Sequence, residues 1–501
     1  MQKQVKKIII VSAIYLTLWV MLSKILDSIG GIPTSATNTM TAACVGALWL
    51  VTVLAILFDI DGSMIWDALR YNKSLIQIAD FRHNADNYQL DISAYPVQSW
   101  RDTDGIILGS VDGRCIHRPT AAEGNLALFA LPGAGKTTAQ IIPTALRFGG
   151  SVLAIDIKGD ILNATKEHRK IKIFAPDDPS TSCHFDPFAG LQNMSHTERL
   201  NYIEQLADIL IPATGNGKDA DYFVQGAKDF FCGVTCQMYD CNPAITFADV
   251  ISTLVYAKKG DGNAIVAKIN ANGSLDAKTY LASYCGSNER NVAGCYNHCV
   301  TALRPIVMLL PILDGDGDCI SINTLTQGYD IYIEIPQDKI ALYAPITSLV
   351  IQAFLTAFMQ RPDTSNDNRP ILFLLDEFAQ LNLNFATIST ALSTLRSKNV
   401  SLFLAMQSVA QLNNRYTPDK AREVIDTCAY ISVMSAQDPT SREYFSKMIG
   451  DKKVLRRHGD SASEGTEPIV APARLGNLDD RVLLYINGKY CFADKCYYFQ
   501  D

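Results

Sequence analysis

Two short runs carry residue types that could handle phosphate. Ala130-Leu-Pro-Gly-Ala-Gly-Lys136-Thr137 ends in an ammonium and a hydroxyl behind a glycine-rich turn; Ile371-Leu-Phe-Leu-Leu-Asp376-Glu377, beginning 241 residues further on, ends in two adjacent carboxylates. The first follows the apolar stretch Leu126-Ala-Leu-Phe129 and precedes Thr138-Ala-Gln-Ile-Ile-Pro-Thr-Ala-Leu, which has the make-up of a helix. Strand, glycine-rich turn and helix N-terminus together form the setting of a P-loop. Backbone N–H groups in such a turn converge on phosphate oxygens, helped by the positive end of the helix. On this reading Pro132, Gly133, Ala134, Gly135, Lys136, Thr137 and Thr138 cradle a nucleotide, with Lys136 on the β/γ-phosphates and the Thr137 hydroxyl on Mg2+. The second run reads as a buried parallel strand whose Asp376 completes the Mg2+ shell and whose Glu377 polarises an attacking water. ATP and Mg2+ are the expected cofactors. The usual pattern opens on glycine where this chain has Ala130, a departure of one methyl group.

These residues need a sheet to hold them. From Asn125 the pattern is α/β: Ser151–Asp156 and Ile171–Pro176 read as further strands, followed after a long interval by Tyr329–Ile335, Ile371–Leu375, Ser401–Ala405, Tyr430–Met434 and a terminal group from Val482 to Phe499. Between the third strand and Tyr329 the strand signal fades. Arg199–Leu210 and Tyr222–Tyr239 show helical spacing of apolar residues, so residues 195–310 read as an inserted all-α domain. The nucleotide domain is then split into 63–194 and 311–501. The polar run Ser461–Glu467 reads as a mobile loop.

Residues 1–62 differ in kind. Two apolar stretches, about 8–27 and 40–60, are each long enough to cross a bilayer as a helix. Lys3, Lys6 and Lys7 precede the first, Arg70 and Lys73 follow the second, and Asp27–Asn38 between them has no Lys or Arg. The excess of positive charge on the outer flanks predicts a multi-pass hairpin with both termini cytoplasmic, although Lys24 pulls the other way. A cleaved leader fits less well, because a second stretch follows and the phosphate-handling motifs need cytosolic nucleotide.

The remaining composition excludes more than it proposes. The 501 residues carry a formal net charge of −7, so any nucleic-acid contact must come from a local basic patch. Thirteen cysteines without a CxxC pair read as buried thiols in a reduced compartment, including Cys232, Cys236, Cys241 and the metal-like run Cys295-Tyr-Asn-His298-Cys299. Asp314-Gly-Asp-Gly-Asp318 imitates a calcium loop, but its twelfth position is Leu325, where a bidentate Glu is required.

Taken in order, these elements resemble the type IV secretion system coupling proteins, the membrane-anchored ATPases of bacterial conjugation and effector export. The features that carry the resemblance are the two N-terminal spans, the Ala-first P-loop, Asp156-Ile-Lys158-Gly159-Asp160, the helical insertion and Leu375-Asp376-Glu377-Phe378. Ala405-Met-Gln407-Ser-Val-Ala-Gln411-Leu ahead of Tyr416, and the run from Asp438 to Gly450, extend it. The resemblance implies a RecA-like P-loop NTPase fold with the all-α insertion, a bacterial inner-membrane location and a ring, expected to be a homo-hexamer. It also implies two further catalytic residues: Gln407, sensing the γ-phosphate or positioning water, and Arg396, an arginine finger for a neighbouring subunit. Lys158 and Asp160 resemble the family's Lys-Gly-acidic motif and receive no chemical step. Implied partners are secretion-channel components, a relaxase or relaxosome or a protein effector, and single-stranded DNA. The chain stops at Asp501 without an acidic tail, which shifts the expected cargo towards DNA-bound relaxase. Lys258, Lys259, Lys268 and Arg290 in the insertion lie among comparable numbers of acids, which suits protein docking more than DNA binding. Two rivals compete with this reading: an FtsK-like double-stranded DNA translocase, and a receptor in which nucleotide only gates assembly.

Overall fold

The computed structural model describes Trp49 and residues 88–500, apart from 213–217, 257–260, 315–316, 364–367 and 459–460. The two expected membrane spans, Lys258 and Lys259 lie outside the described residues. Contacts divide the chain into a large unit, Leu90–Met448 with Pro472–Asp501, and a small one, Met1–Gln89 with Ile449–Ala471.

The strands of the large unit are β1 (Ile106–Val111), β2 (Arg114–Arg118), β3 (Leu126–Phe129), β4 (Ser151–Asp156), β5 (Ile171–Phe174), β6 (Asp330–Glu334), β7 (Ile371–Leu375), β8 (Val400–Met406) and β9 (Tyr430–Val433). The small unit contributes β10 (Asp451–His458) and β11 (Ser461–Pro468), and the large unit resumes with β12 (Arg481–Ile486) and β13 (Lys489–Asp494). Eleven of these form one sheet in the order β2-β1-β13-β12-β9-β3-β8-β7-β4-β6-β5. From β9 to β5 every pairing is parallel; β12, β13, β1 and β2 add an antiparallel flank. The central strands β3, β4, β7 and β8 are buried at every position, which is why they read as unbroken apolar runs and not as alternating ones.

Between β5 and β6, which pair directly, the chain leaves the sheet and returns. Its excursion is helical: His196–Leu210, Lys218–Cys241, Phe247–Val255, Asp261–Asn272, Leu275–Leu281 and Glu289–Leu303. Ser195 with Glu198, and Thr246 with Asp249, form reciprocal capping boxes that start two of these helices. Cys232, Cys236, Cys295 and Cys299 belong to this lobe's core, whereas Cys241, expected to be buried, is exposed at the end of its helix. A methyl group on Gly226 would sit 2.3 Å from Cys295 Sγ, so the helix through Cys295 and Cys299 packs against its neighbour at backbone distance. Burial pushes the thiols of Cys295 and Cys299 up. Among the described residues no group of three or more His, Cys, Asp or Glu side chains could hold a metal.

The run Gln337–Met359 is long and apolar enough, by length and composition, to cross a membrane. Here it is a core helix: Phe358 meets Phe373 of β7 edge to face at 5.9 Å, and Phe354 stacks on Phe185 at 6.0 Å. The calcium-like run is likewise structural. Asp314 accepts from His184, Asp318 pairs with Lys172, and Leu325 is fully buried.

The expected loop is overturned too. Ser461–Glu467 is not a loop but most of β11, paired with β10 from Asp451↔Pro468 to His458↔Ser461. A hairpin can satisfy its backbone through the ladder alone, with opposite charges facing each other as at Lys452↔Glu467. With no apolar alternation to announce it, such a strand looks like loop in sequence.

Candidate nucleotide site

At the C-terminal edge of β3 the backbone keeps the ladder for one more residue: Ala130 N–H bonds Met406 O at 3.0 Å. Ala130 is fully buried there, so the single methyl in place of glycine is accommodated in the sheet. The next N–H, of Leu131, bonds Ser435 Oγ at 3.0 Å, which anchors the turn to the chain leaving β9. Gly133 (φ +80°) and Gly135 (φ +87°) then take left-handed conformations that other residues adopt only with strain. A Cβ on Gly133 would meet nothing within 4 Å, so the hollow of the loop stays open at that point.

The helix that follows opens wide. Over Thr137–Ile141 it is a π-turn, with Ile142 N–H bonding the Thr137 carbonyl, before it narrows to an α-helix over Ile142–Arg147. Pro143 explains the change. In α register its ring would press on the Ala139 carbonyl; the wider turn relieves that clash and shifts the missing donor to Thr138 O, which accepts from Tyr498 N–H at 3.0 Å instead. The opening N–H groups have no partner within their own helix and face the loop.

Strand order brings the carboxylates to this turn. β8 lies between β3 and β7, so Asp376 and Glu377 at the end of β7 and Gln407 at the end of β8 share the edge that holds the turn. Lys136 Nζ is 2.7 Å from Asp376 Oδ1 and 2.5 Å from Glu377 Oε1. The other Glu377 oxygen accepts from Gln407 Nε2 at 3.1 Å and Gln380 Nε2 at 3.0 Å. Glu377 reaches this position with left-handed backbone (φ +51°, ψ +38°), an uncommon conformation for a non-glycine residue and one found at functional sites.

Burial works to lower the Lys136 pKa, yet Asp376 and Glu377 outweigh it and hold the ammonium above its ordinary value. Burial pushes the Asp376 carboxyl up, against the pull of Lys136, and Glu377 adds to the rise. The Lys136 direction follows from two carboxylates sharing one cation, whereas at Asp376 burial leads and the second carboxylate adds to it.

A cleft of about 340 Å3 opens over these groups, lined by the loop from Pro132 to Thr138, by Asp376, Glu377, Gln380 and Gln407, and by Asp156, Lys158 and Asp160 at the end of β4. Asp156 is held by Leu162 N–H at 2.8 Å, and burial raises its pKa. A hydroxyl and a few carboxylate oxygens are a hard donor set, suited to an Mg2+ that keeps waters and shares phosphate oxygens. The residues present therefore fit a nucleotide and Mg2+.

Of the residues singled out in the sequence, Pro132, Gly133, Gly135, Lys136, Thr137, Thr138, Asp376, Glu377 and Gln407 line this cleft together, and Ala134 lies within the same turn. Arg396 does not: it sits on a short 3-10 turn, Leu395–Lys398, exposed and ion-paired with Glu123. Several groups at the site were not anticipated, Gln337 and Ile340 in the cleft wall among them. Gln380 follows Glu377 by one turn, a spacing that could have flagged it. Ser435 and Tyr497, the latter with its ring edge against Gly135, come from beyond the ends of β9 and β13, and nothing local signals them.

Residues 118–477 match the family described as the type IV secretion-system coupling protein DNA-binding domain. The chain is 23% identical over 368 residues to Protein VirD4 of Agrobacterium fabrum, an alignment covering 69% of this chain and 54% of that protein. It is 24% identical over 335 residues to the probable conjugal transfer protein TraG of Sinorhizobium fredii, covering 64% and 52% respectively. It thus spans about half the length of the curated relatives it matches. Among solved structures, plasmid coupling protein TrwB in complex with the non-hydrolysable ATP analogue ADPNP superposes with a TM-score of 0.61 at 18% identity, covering 84% of this chain and 92% of that one. The same protein in complex with ADP and Mg2+ gives 0.61 at 19% identity, covering 79% and 90%. At such identities the likeness is one of fold.

Proposed function

The chain belongs to the type IV secretion-system coupling protein family, and from that premise we propose that it is a membrane-anchored ATPase that recruits relaxase-bound DNA or protein to a secretion channel. ATP hydrolysis drives the transfer. One observation carries the reading: Lys136 bridges Asp376 and Glu377 while Gln407 holds the free oxygen of Glu377, so cation, metal ligand, base and sensor meet at one glycine-rich turn. TrwB has been solved in complex with ADPNP and with ADP and Mg2+, which supports nucleotide and metal as the ligands.

Each residue has a part that its position allows. The N–H groups of Gly133 and of Gly135 to Thr138 bind phosphate oxygens, with Ala134 N–H held by Leu131 O at 3.1 Å, and Lys136 turns from the carboxylates to the β/γ-phosphates. The Thr137 hydroxyl and the Asp376 carboxylate hold Mg2+, which when bound neutralises charge on the phosphates. Glu377, released from Lys136, accepts a hydrogen bond from the attacking water and orients it; Gln407 and Gln380 fix the carboxylate while it does so. Arg396, outside the cleft of its own chain, serves the site of a neighbouring subunit in a homo-hexameric ring. The apolar stretches 8–27 and 40–60 anchor the ring in the bacterial inner membrane, with both termini cytoplasmic. The domain limits follow the same scheme: a membrane hairpin to residue 62, a nucleotide domain over 63–194 and 311–501, and a docking lobe over 195–310. The FtsK-like reading is not favoured, because the matches fall among coupling proteins.

The test is phosphate release by the full chain in detergent, with and without single-stranded DNA, set beside Lys136→Ala. Turnover in the wild type that disappears in the variant supports the reading; equal rates in the two would sink it.

A further inference from the structure

The segment Lys495–Gln500 leaves β13 and lies across the start of the P-loop helix. Tyr498 N–H bonds Thr138 O at 3.0 Å. A Cβ on Gly135 would lie 3.2 Å from Tyr497 Cε1, so the ring edge rests on the loop itself. The phenol, 3.5 Å from the same Cβ, donates to Asp480 Oδ1 at 3.1 Å, which fixes the ring beside the loop. Phe499 stacks on Tyr497 with centroids 5.3 Å apart and planes 29° apart, and 61% of its surface is exposed. Arg101 clasps the segment by donating to Tyr498 O at 3.1 Å and Gln500 O at 3.0 Å.

Its side of the loop gives it meaning. Asp376, Glu377 and Gln407 reach the turn from β7 and β8, on one side of β3; Tyr497 and Phe499 reach it from β13, which lies on the other side beyond β9 and β12. A nucleotide whose terminal phosphates face the carboxylates must send its base the opposite way. We infer that Tyr497 and Phe499 form the stacking platform for the nucleobase. This deepens the nucleotide reading and rests on it. The platform grips the π-face and offers no groove for reading base edges, so it suits any purine nucleotide and sets affinity more than choice of base.

The experiment titrates the full chain in detergent with two probes in the presence of Mg2+, ATP and inorganic tripolyphosphate, which shares the phosphates and lacks the base. Tyr497→Ala is expected to weaken ATP binding about ten-fold and to leave tripolyphosphate unchanged. Tyr497→Phe, which keeps the ring and loses only the bond to Asp480, should bind ATP like the wild type. Phe499→Ala, which leaves the loop untouched, should lose ATP affinity in the same direction. Wild-type ATP affinity in both alanine variants overturns the inference, as do equal losses for the two probes, since those would mean that Tyr497 only props the loop. A wild-type chain that binds neither probe removes the nucleotide reading itself, and the platform with it.

Discussion

Lys136 stands between two carboxylates with side-chain exposures of 9% and 11%, and its own is 12%. Removing it leaves both acids in a poorly solvated place with neutral partners. Breaking a buried pair in this way costs about 3–5 kcal/mol, reduced here by the partial exposure and by the amides of Gln380 and Gln407. Lys136→Ala should therefore melt earlier than wild type without ligand, and millimolar Mg2+ should restore more of its Tm than it adds to wild type, because a divalent ion can take the vacated charge. A thermal melt with and without Mg2+ reads this; equal metal responses would contradict the shared-cation cluster. The same variant should lose roughly 10²-fold or more in phosphate release. Glu377→Gln keeps the side-chain shape but loses the basicity, so nucleotide binding should persist while turnover drops by about 10²–10⁴-fold. Normal turnover in that variant would move the base elsewhere.

Elements decide where these residues meet, and one buried pair ties several together. Asp330, at the start of β6, accepts from Val152 N–H of β4 at 2.9 Å and pairs with Arg169. Arg169 in turn bonds the carbonyls of Ala145, Phe148 and Gly150, at and beyond the end of the P-loop helix. Asp330→Ala should cost about 3–5 kcal/mol, read as a lower denaturation midpoint at unchanged m-value; a change within 1 kcal/mol would show the pair to be dispensable. What was legible in the sequence follows the same division. The P-loop, the acid-tipped strand and most of the parallel sheet could be read, because buried strands are continuous apolar runs and phosphate turns have a fixed local grammar. The left-handed Glu377 and the parts of Ser435 and Tyr497 could not, because each depends on which strand lies beside which. β11 was misread for a different reason, its polarity on both faces.

At the scale of the whole molecule the apolar N-terminal stretches and the large unit are separable by composition. Removing residues 1–62 should yield a fragment that binds nucleotide but hydrolyses it slowly when dilute, with a specific activity that rises with protein concentration or added DNA. A fragment fully active as a dilute monomer would contradict a site completed by a neighbour. The large unit itself is closed late. Lys136 and Glu377 are 241 residues apart, with the entire helical lobe between them. At a synthesis rate of 5–20 residues per second, roughly 12–50 s separate the emergence of the phosphate loop from that of its acids. During that interval β3 has neither β8 nor β9 beside it, and the N-terminal apolar stretches have long since left the ribosome. A nascent chain thus cannot close its phosphate site until well after the loop itself has been made, so the order of residues along the chain delays nucleotide binding to the end of synthesis.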